Sequence, residues 1–255
     1  MRILLTNDDG IYAPGLAAFE REARMLGDVT IVAPAVEQSG VGHSITFLRP
    51  LVVNEIFDGD RRRGWAVEGS PADCVKLGIF EYCGERPDLV LSGINGGLNA
   101  GINVLYSGTV AAAIEGAFFG ITSVAVSLEF SEHADFARAA VLARGAIEQI
   151  LERKSPAPQL YNLNIPTAAL TAAEPKLRVV PMGLDHYGEQ YEKRVDPRGR
   201  NYYWAAYERR NPNRHAETDL TALSDGHMTL TPLDFDLTKR SLLAEMAGWN
   251  LSVSR

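Results

Sequence analysis

The stretch Met1-Arg2-Ile3-Leu4-Leu5-Thr6-Asn7-Asp8-Asp9-Gly10 is a short apolar run that stops at two adjacent carboxylates. A run without a polar break reads as a strand buried on both faces, as in parallel sheets. The acidic pair then sits at the strand's C-terminal end, and Gly10 lets the chain turn. Ligands of open α/β sheets bind outside the carboxyl ends of strands. Two readings fit these residues. Asn-Asp-Asp-Gly is good turn chemistry, and two aspartates at a strand end also suit a hard divalent cation.

The rest of the chain repeats the first theme. Strands are expected at Ile3–Thr6, Val29–Ala33, Leu89–Ser92, Ser123–Ser127 and Leu160–Ile165, with helices at Leu16–Met25, Ala72–Tyr82, Thr109–Phe119 and Phe136–Leu151 between them. This alternation predicts an α/β fold with a Rossmann-like, doubly wound, mostly parallel sheet. Ser70 stands as N-cap of the second helix, with Pro71 at its first position and Asp73 in its first turn. Leu51–Val53 and Trp65–Val67 flank a polar segment and read as a hairpin, its Arg61-Arg62-Arg63 run a solvated turn. After Pro166 the pattern shifts to short strands at Leu177–Pro181 and Met228–Thr231, a polar stretch carrying Tyr202, Tyr203, Trp204 and Tyr207, and a partly helical tail from Leu237. Those aromatics suit either a ligand site or contact with a second subunit. The expected organisation is one domain over residues 1–255, a core to about 170 and a C-terminal accessory hairpin and helix region from about 171.

Composition narrows the function. Among 255 residues the net charge is -7, which argues against the basic stripe of a nucleic-acid polymer site. A small phosphorylated ligand is compatible, since a bound cation neutralises its charge. The two cysteines, Cys74 and Cys83, form no CxxC and read as reduced thiols, which fits the cytoplasm. Neither a signal peptide nor a membrane span is expected.

Three Gly/Ser/Asn-rich loops carry the remaining chemistry: Glu37–Ser44, Gly93–Gly101 and Tyr106–Thr109, the last opening a helix. With the acidic pair they offer carboxylate, hydroxyl and carboxamide oxygens, a set that suits Mg²⁺ or Mn²⁺. Ser107-Gly108-Thr109 suits an anion, because helix-start N–H groups are unpaired, although it also reads as a simple cap. A P-loop and a Gly-x-Ser-x-Gly elbow are missing, the adjacency of Asp8 and Asp9 argues against an Asp-x-Asp strand motif at this position, and Gly40-Val41-Gly42-His43-Ser44-Ile45 lacks the last glycine of a dinucleotide fingerprint. His43 fits a proton carrier or a hydrogen-bonding support. His133, His186, His215 and His227 read as surface or structural, and Lys76 as solvated.

These motifs resemble the SurE family, the survival-protein E nucleotidases. The likeness rests on Leu5–Gly10, Gln38-Ser39-Gly40 with Gly42-His43-Ser44, Gly69–Val75, Pro87–Asn95, Tyr106–Ala113, Asn162–Pro166, Thr218-Asp219 and Thr229–Leu233. It implies a metal-dependent phosphatase acting on nucleoside 5′-monophosphates, with possible reach to 3′-nucleotides and other phosphomonoesters. By resemblance Asp8, Asp9, Ser39 and Asn95 hold one divalent cation per subunit, Gly40, Asn99, Ser107, Gly108 and Thr109 bind the substrate phosphate, and the chain forms a homodimer or homotetramer. Asp8 and Asp9 are the catalytic candidates, as base, nucleophile or ligand only. Two other readings remain beside hydrolysis: a non-catalytic nucleotide sensor and a metal-dependent transferase.

Overall fold

The computed structural model describes residues 1–184, 188–208, 216–249 and 251–252. Its strands are β1 (Arg2–Thr6), β2 (Asp28–Pro34), β3 (Val53–Asp58), β4 (Arg61–Val67), β5 (Leu89–Gly96), β6 (Thr122–Leu128), β7 (Leu160–Ile165), β8 (Leu177–Val179), β9 (Gly188–Val195), β10 (Asn201–Glu208) and β11 (Met228–Leu233). The helices are α1 (Pro14–Ala23), α2 (Pro71–Leu77), α3 (Gly108–Phe118), α4 (Phe136–Arg153), α5 (Thr167–Thr171), α6 (Asp219–Ser224) and α7 (Arg240–Ala247). His186, His215 and the last residues of the tail lie outside the described residues.

Nine strands form one sheet in the order β3-β4-β2-β1-β5-β6-β7-β11-β8. Strands β4, β2, β1, β5, β6 and β7 run parallel to one another; β3 and β11 are antiparallel to their neighbours β4 and β7. Chain order reverses between β1 and β5, because β2 lies on one side of β1 and β5 to β7 on the other. That gap is the switch point where a crevice opens at the strand ends.

β1 is central because both of its faces are buried. Ile3 and Leu5 pack with Leu16, Phe19, Ala143 and Ile147, on the face covered by α1 and α4. Leu4 points the other way, into a cluster with Val32, Val75, Val90 and Ala112 of the α2 and α3 side. The unbroken apolar run is thus explained by helices on both sides of the sheet.

Local signals hold well in α2. Ser70 Oγ accepts from the Asp73 N–H at 3.1 Å, and Asp73 Oδ2 accepts from the Ser70 N–H at 2.9 Å, a full capping box. The helix stays regular to Leu77 and widens to a π-turn at Gly78–Tyr82; Gly78 packs its backbone against Leu4, where an added Cβ would lie 2.5 Å from Leu4 Cδ1. The arginine run corrects its reading as a solvated turn. Arg61, Arg62 and Arg63 open β4; Arg62 lies 4.5 Å over the Trp65 ring, and Arg63 pairs with Glu20 at 2.9 Å and donates to Ile11 O. The turn itself is left to Gly59 and its neighbours.

β9 and β10 form a separate two-stranded hairpin. Tyr202, Tyr203 and Trp204 lie on β10 and are exposed. Among the described residues no helix is long and apolar enough to cross a membrane.

Because Leu4 fills the core beneath the strand end, Leu4→Ala is expected to lower unfolding free energy by about 2–5 kcal/mol in urea titration. Phe57→Ala on the exposed edge strand β3 should stay within about 1 kcal/mol. Equal losses for the two would contradict this packing.

Candidate active site

The acidic pair follows β1 after Asn7, and the turn contacts of Asn7-Asp8-Asp9-Gly10 fall to residues other than the two aspartates. Asn7 does the turn's work: its Nδ2 donates to Gly10 O at 2.9 Å, and Gly10 takes a φ of +99°, where a side chain would be strained. The two aspartates are left free for other partners.

Asp8 is 4% exposed and lies against the start of α3. The Thr109 hydroxyl donates to Asp8 Oδ1 at 2.6 Å. Gly108 makes this approach possible, since a Cβ there would stand 2.8 Å from Asp8 Cβ and 3.0 Å from Asp8 Oδ2. Ser107 caps the helix, its Oγ accepting from the Val110 N–H at 3.1 Å. The predicted cap and the predicted anion-favouring helix start therefore coincide, and the anion nearest to it is Asp8.

Two backbone hydrogen bonds draw the other loops to this point. The Gln38 N–H donates to Asp8 O at 2.7 Å, which sets Ser39 one residue from the acidic pair. The Gly96 N–H donates to Asp9 Oδ2 at 3.3 Å, which brings the end of β5 and its Asn95 across the switch point. Asn95 is thus placed by a strand. β5 continues past Ser92, where a register shift lets it pair again with β6 at Asn95 and Gly96. Asn95 Nδ2 donates to Gly97 O at 2.6 Å, leaving its carbonyl oxygen for another partner. Ser39 donates its hydroxyl to Glu37 Oε1 at 2.6 Å, so its lone pairs remain.

The electrostatics are unbalanced. Burial pushes the Asp8 carboxyl above its ordinary value, against the pull of the Thr109 hydrogen bonds. Asp9 rises to about 6, through burial first and the neighbouring Asp8 charge second. Glu37 adds to both, and among the described residues no cationic side chain acts on either aspartate. Among the described residues no three carboxylate, imidazole or thiol groups gather around a metal-sized space. The donor set is two carboxylates with neutral hydroxyl and carboxamide oxygens, which fits a hard cation that keeps part of its water shell.

The residues expected on the substrate side are placed as follows. Gly40 lies in the loop after Ser39 with a φ of +71°. Asn99 is turned inward, its Nδ2 donating to Ser127 Oγ at 2.9 Å and reaching Thr109 Oγ1 at 3.4 Å. His43 is a support: its Nε2 lies 2.5 Å from Glu115 Oε2, and Lys76, read as solvated, reaches Glu115 Oε1 at 3.5 Å. Lys76 is drawn there because Glu115 is a buried charge. Glu115 was not singled out from the sequence, although a lone carboxylate in the apolar run Val110–Phe119 is a readable signal. Asp219, read from the sequence only as part of the family pattern, is a second buried carboxylate. It is fully buried, and its carboxylate accepts from the Gly101 N–H at 2.8 Å and the Gly183 N–H at 2.7 Å, fixing the loop after Asn99.

Residues 3–189 match the family described as Survival protein SurE. The chain belongs to the SurE family. A protein of Rhodopirellula baltica named 5′-nucleotidase SurE is 60% identical over 98% of this chain and 99% of its own length. One of Heliobacterium modesticaldum with the same name is 43% identical over 98% of this chain and 92% of its own. The crystal structure of the SurE protein from Aquifex aeolicus superposes with a TM-score of 0.84 at 38% identity, covering 98% of this chain and 99% of that one. The doubly wound fold is therefore the SurE fold.

A pH test follows from Asp9. Folded, it keeps its proton up to about 6; unfolded, only to its ordinary 3.8. Folding takes up a proton between those values, so the metal-free chain loses stability as pH rises through the window. In chelator, Asp9→Asn should stabilise the protein at pH 7 by about 1 kcal/mol, solvent screening at this half-open site limiting the gain, and the gain should vanish near pH 4. Denaturant titration at both pH values measures it; a pH-independent difference would reject the strained pair.

Proposed function

We propose that this SurE chain hydrolyses nucleoside 5′-monophosphates, using one divalent cation, Mg²⁺ or Mn²⁺, per subunit. The observation that carries the reading is a pair of carboxylates at the switch point with no cationic side chain of the described residues acting on them. The SurE relatives named as 5′-nucleotidases support the substrate class.

Asp8 and Asp9, with the free oxygens of Ser39 and Asn95, would hold the cation. When bound, such an ion draws charge from phosphate oxygens and lowers the pKa of a coordinated water. The side chains divide the remaining work by their burial. Asp8, buried and fixed by Thr109, keeps its carboxylate in one orientation. Asp9 is more open and would accept a proton from attacking water. Ser107, Gly108 and Thr109 would face the substrate phosphate at the α3 start, where the helix dipole favours negative charge. Asn99 would act there through its hold on Thr109, and Gly40, in the loop after Ser39, would contact the phosphate with its backbone. We read the exposed Tyr202, Tyr203 and Trp204 as contacts of a homodimer or homotetramer. Free Cys74 and Cys83 support a cytoplasmic setting.

Phosphate release from a panel of nucleoside 5′-monophosphates with Mg²⁺, with Mn²⁺ and with chelator tests the reading. Turnover with either metal and none in chelator is expected. Asp8→Asn should lower kcat by about 10²- to 10⁴-fold. Gly108→Ala should also lower it, because the new methyl displaces Asp8. Tight nucleotide binding without phosphate release would instead establish a sensor.

A further inference from the structure

A buried polar chain runs from β7 to the acidic pair. On β7, Asn162 Nδ2 donates to Asn99 O at 2.7 Å, and Asn164 Nδ2 donates to the same oxygen at 3.1 Å. Asn164 Oδ1 accepts from the Asn99 N–H at 2.9 Å. Both polar atoms of the Asn99 backbone are therefore held by two side chains of a strand three places from β1 in the sheet. With its backbone fixed, Asn99 spends its carboxamide N–H groups on Ser127 Oγ, 2.9 Å, and Thr109 Oγ1, 3.4 Å. An oxygen that accepts from Asn99 is set to donate onward, and Thr109 Oγ1 donates to Asp8 Oδ1 at 2.6 Å.

Two properties separate this chain from ordinary core satisfaction. The branch from the Asn99 carboxamide through Thr109 points each donor toward Asp8 and ends on the carboxylate, and bonds aligned this way polarise one another; the bond to Ser127 is a side branch that anchors the same carboxamide. Every side chain in it is shut from solvent: Thr109, Ser127, Asn162 and Asn164 are at 0% and Asn99 at 8% exposure. Water cannot replace a missing link without opening the core.

We infer that Asn162, Asn164 and Ser127 are positioning residues for the active site, acting through Asn99 and Thr109 to set the orientation of Asp8. None of them touches substrate. The inference rests on the hydrolase reading for its kinetic consequence, and on the hydrogen-bond chain together with the proposed role of Asp8 as cation ligand for its effect on cation binding. Partners at this remove from a metal are commonly worth about 10- to 100-fold in metal affinity or activity.

The test uses the full chain and Mn²⁺ as probe. Asn164→Leu keeps the shape of the side chain and removes both of its bonds to Asn99. Ser127→Ala is a milder cut that leaves β7 intact. Thr231→Val is the control: its buried hydroxyl, on β11 opposite Asn162, makes no hydrogen bond. Mn²⁺ affinity and stoichiometry are read by calorimetry, the stoichiometry counting folded sites. Nucleotide turnover per occupied site gives kcat and KM. Expected are Mn²⁺ binding weaker by about tenfold or more in Asn164→Leu, a smaller loss in the same direction in Ser127→Ala, and parental values in Thr231→Val. Turnover should show kcat lowered with KM within about twofold, the pattern of a displaced catalytic group. If Asn164→Leu does not fold, Ser127→Ala decides. Parental Mn²⁺ affinity and parental kcat per site in the folded variants would overturn the inference, whatever their melting temperature. A parent chain that binds Mn²⁺ yet releases no phosphate would defeat the hydrolase reading, and the affinity measurements would then decide the positioning role.

Discussion

Asp8 packs its carboxylate against the bare Cα of Gly108 and takes the Thr109 hydroxyl, and the rest of the site depends on that contact. A carboxylate buried to this depth is costly unless charge is brought to it. The protein supplies hydrogen bonds and the positive end of a helix but, among the described residues, no lysine, arginine or histidine acting on it. Asp9 adds a second negative group one residue away. The pair is held in a place where both ionised forms are disfavoured, which is the condition a cation relieves.

The fold explains why this contact can exist. β1 is buried on both faces, so its register is fixed by Ile3, Leu4 and Leu5 and its end is carried to a defined place. The reversal of strand order between β1 and β5 opens a crevice there. Gln38 and Gly96 then use backbone hydrogen bonds to pull the serine loop and the β5 end onto the two aspartates. Backbone donors suit this task, because they align a loop without adding charge to the site.

Much of the site was legible in the sequence where its signals are local. The apolar run before Asp8, the Ser70 cap and the helix start at Ser107 each follow from neighbouring residues. Asn95 was read in a loop because the glycines around it hide a strand that resumes after a shift in register. The arginines at 61–63 were read as a turn because runs of charge usually are; their partners Glu20 and Ile11 O are distant in sequence. Asn162 and Asn164 were legible only as a family pattern. Their role depends on strand order across the sheet, which no periodicity records, and the same holds for Lys76 and His43 meeting at Glu115. Charge balance was likewise invisible, since it depends on which cations stay away.

The most direct test of the account is anomalous diffraction from crystals grown with Mn²⁺ and inorganic phosphate. It predicts one manganese peak per subunit in contact with Asp8 and Asp9 and with oxygens of Ser39 and Asn95, and phosphate between that peak and the start of α3. Manganese bound elsewhere, or an acidic pair left without metal at saturating Mn²⁺, would contradict it.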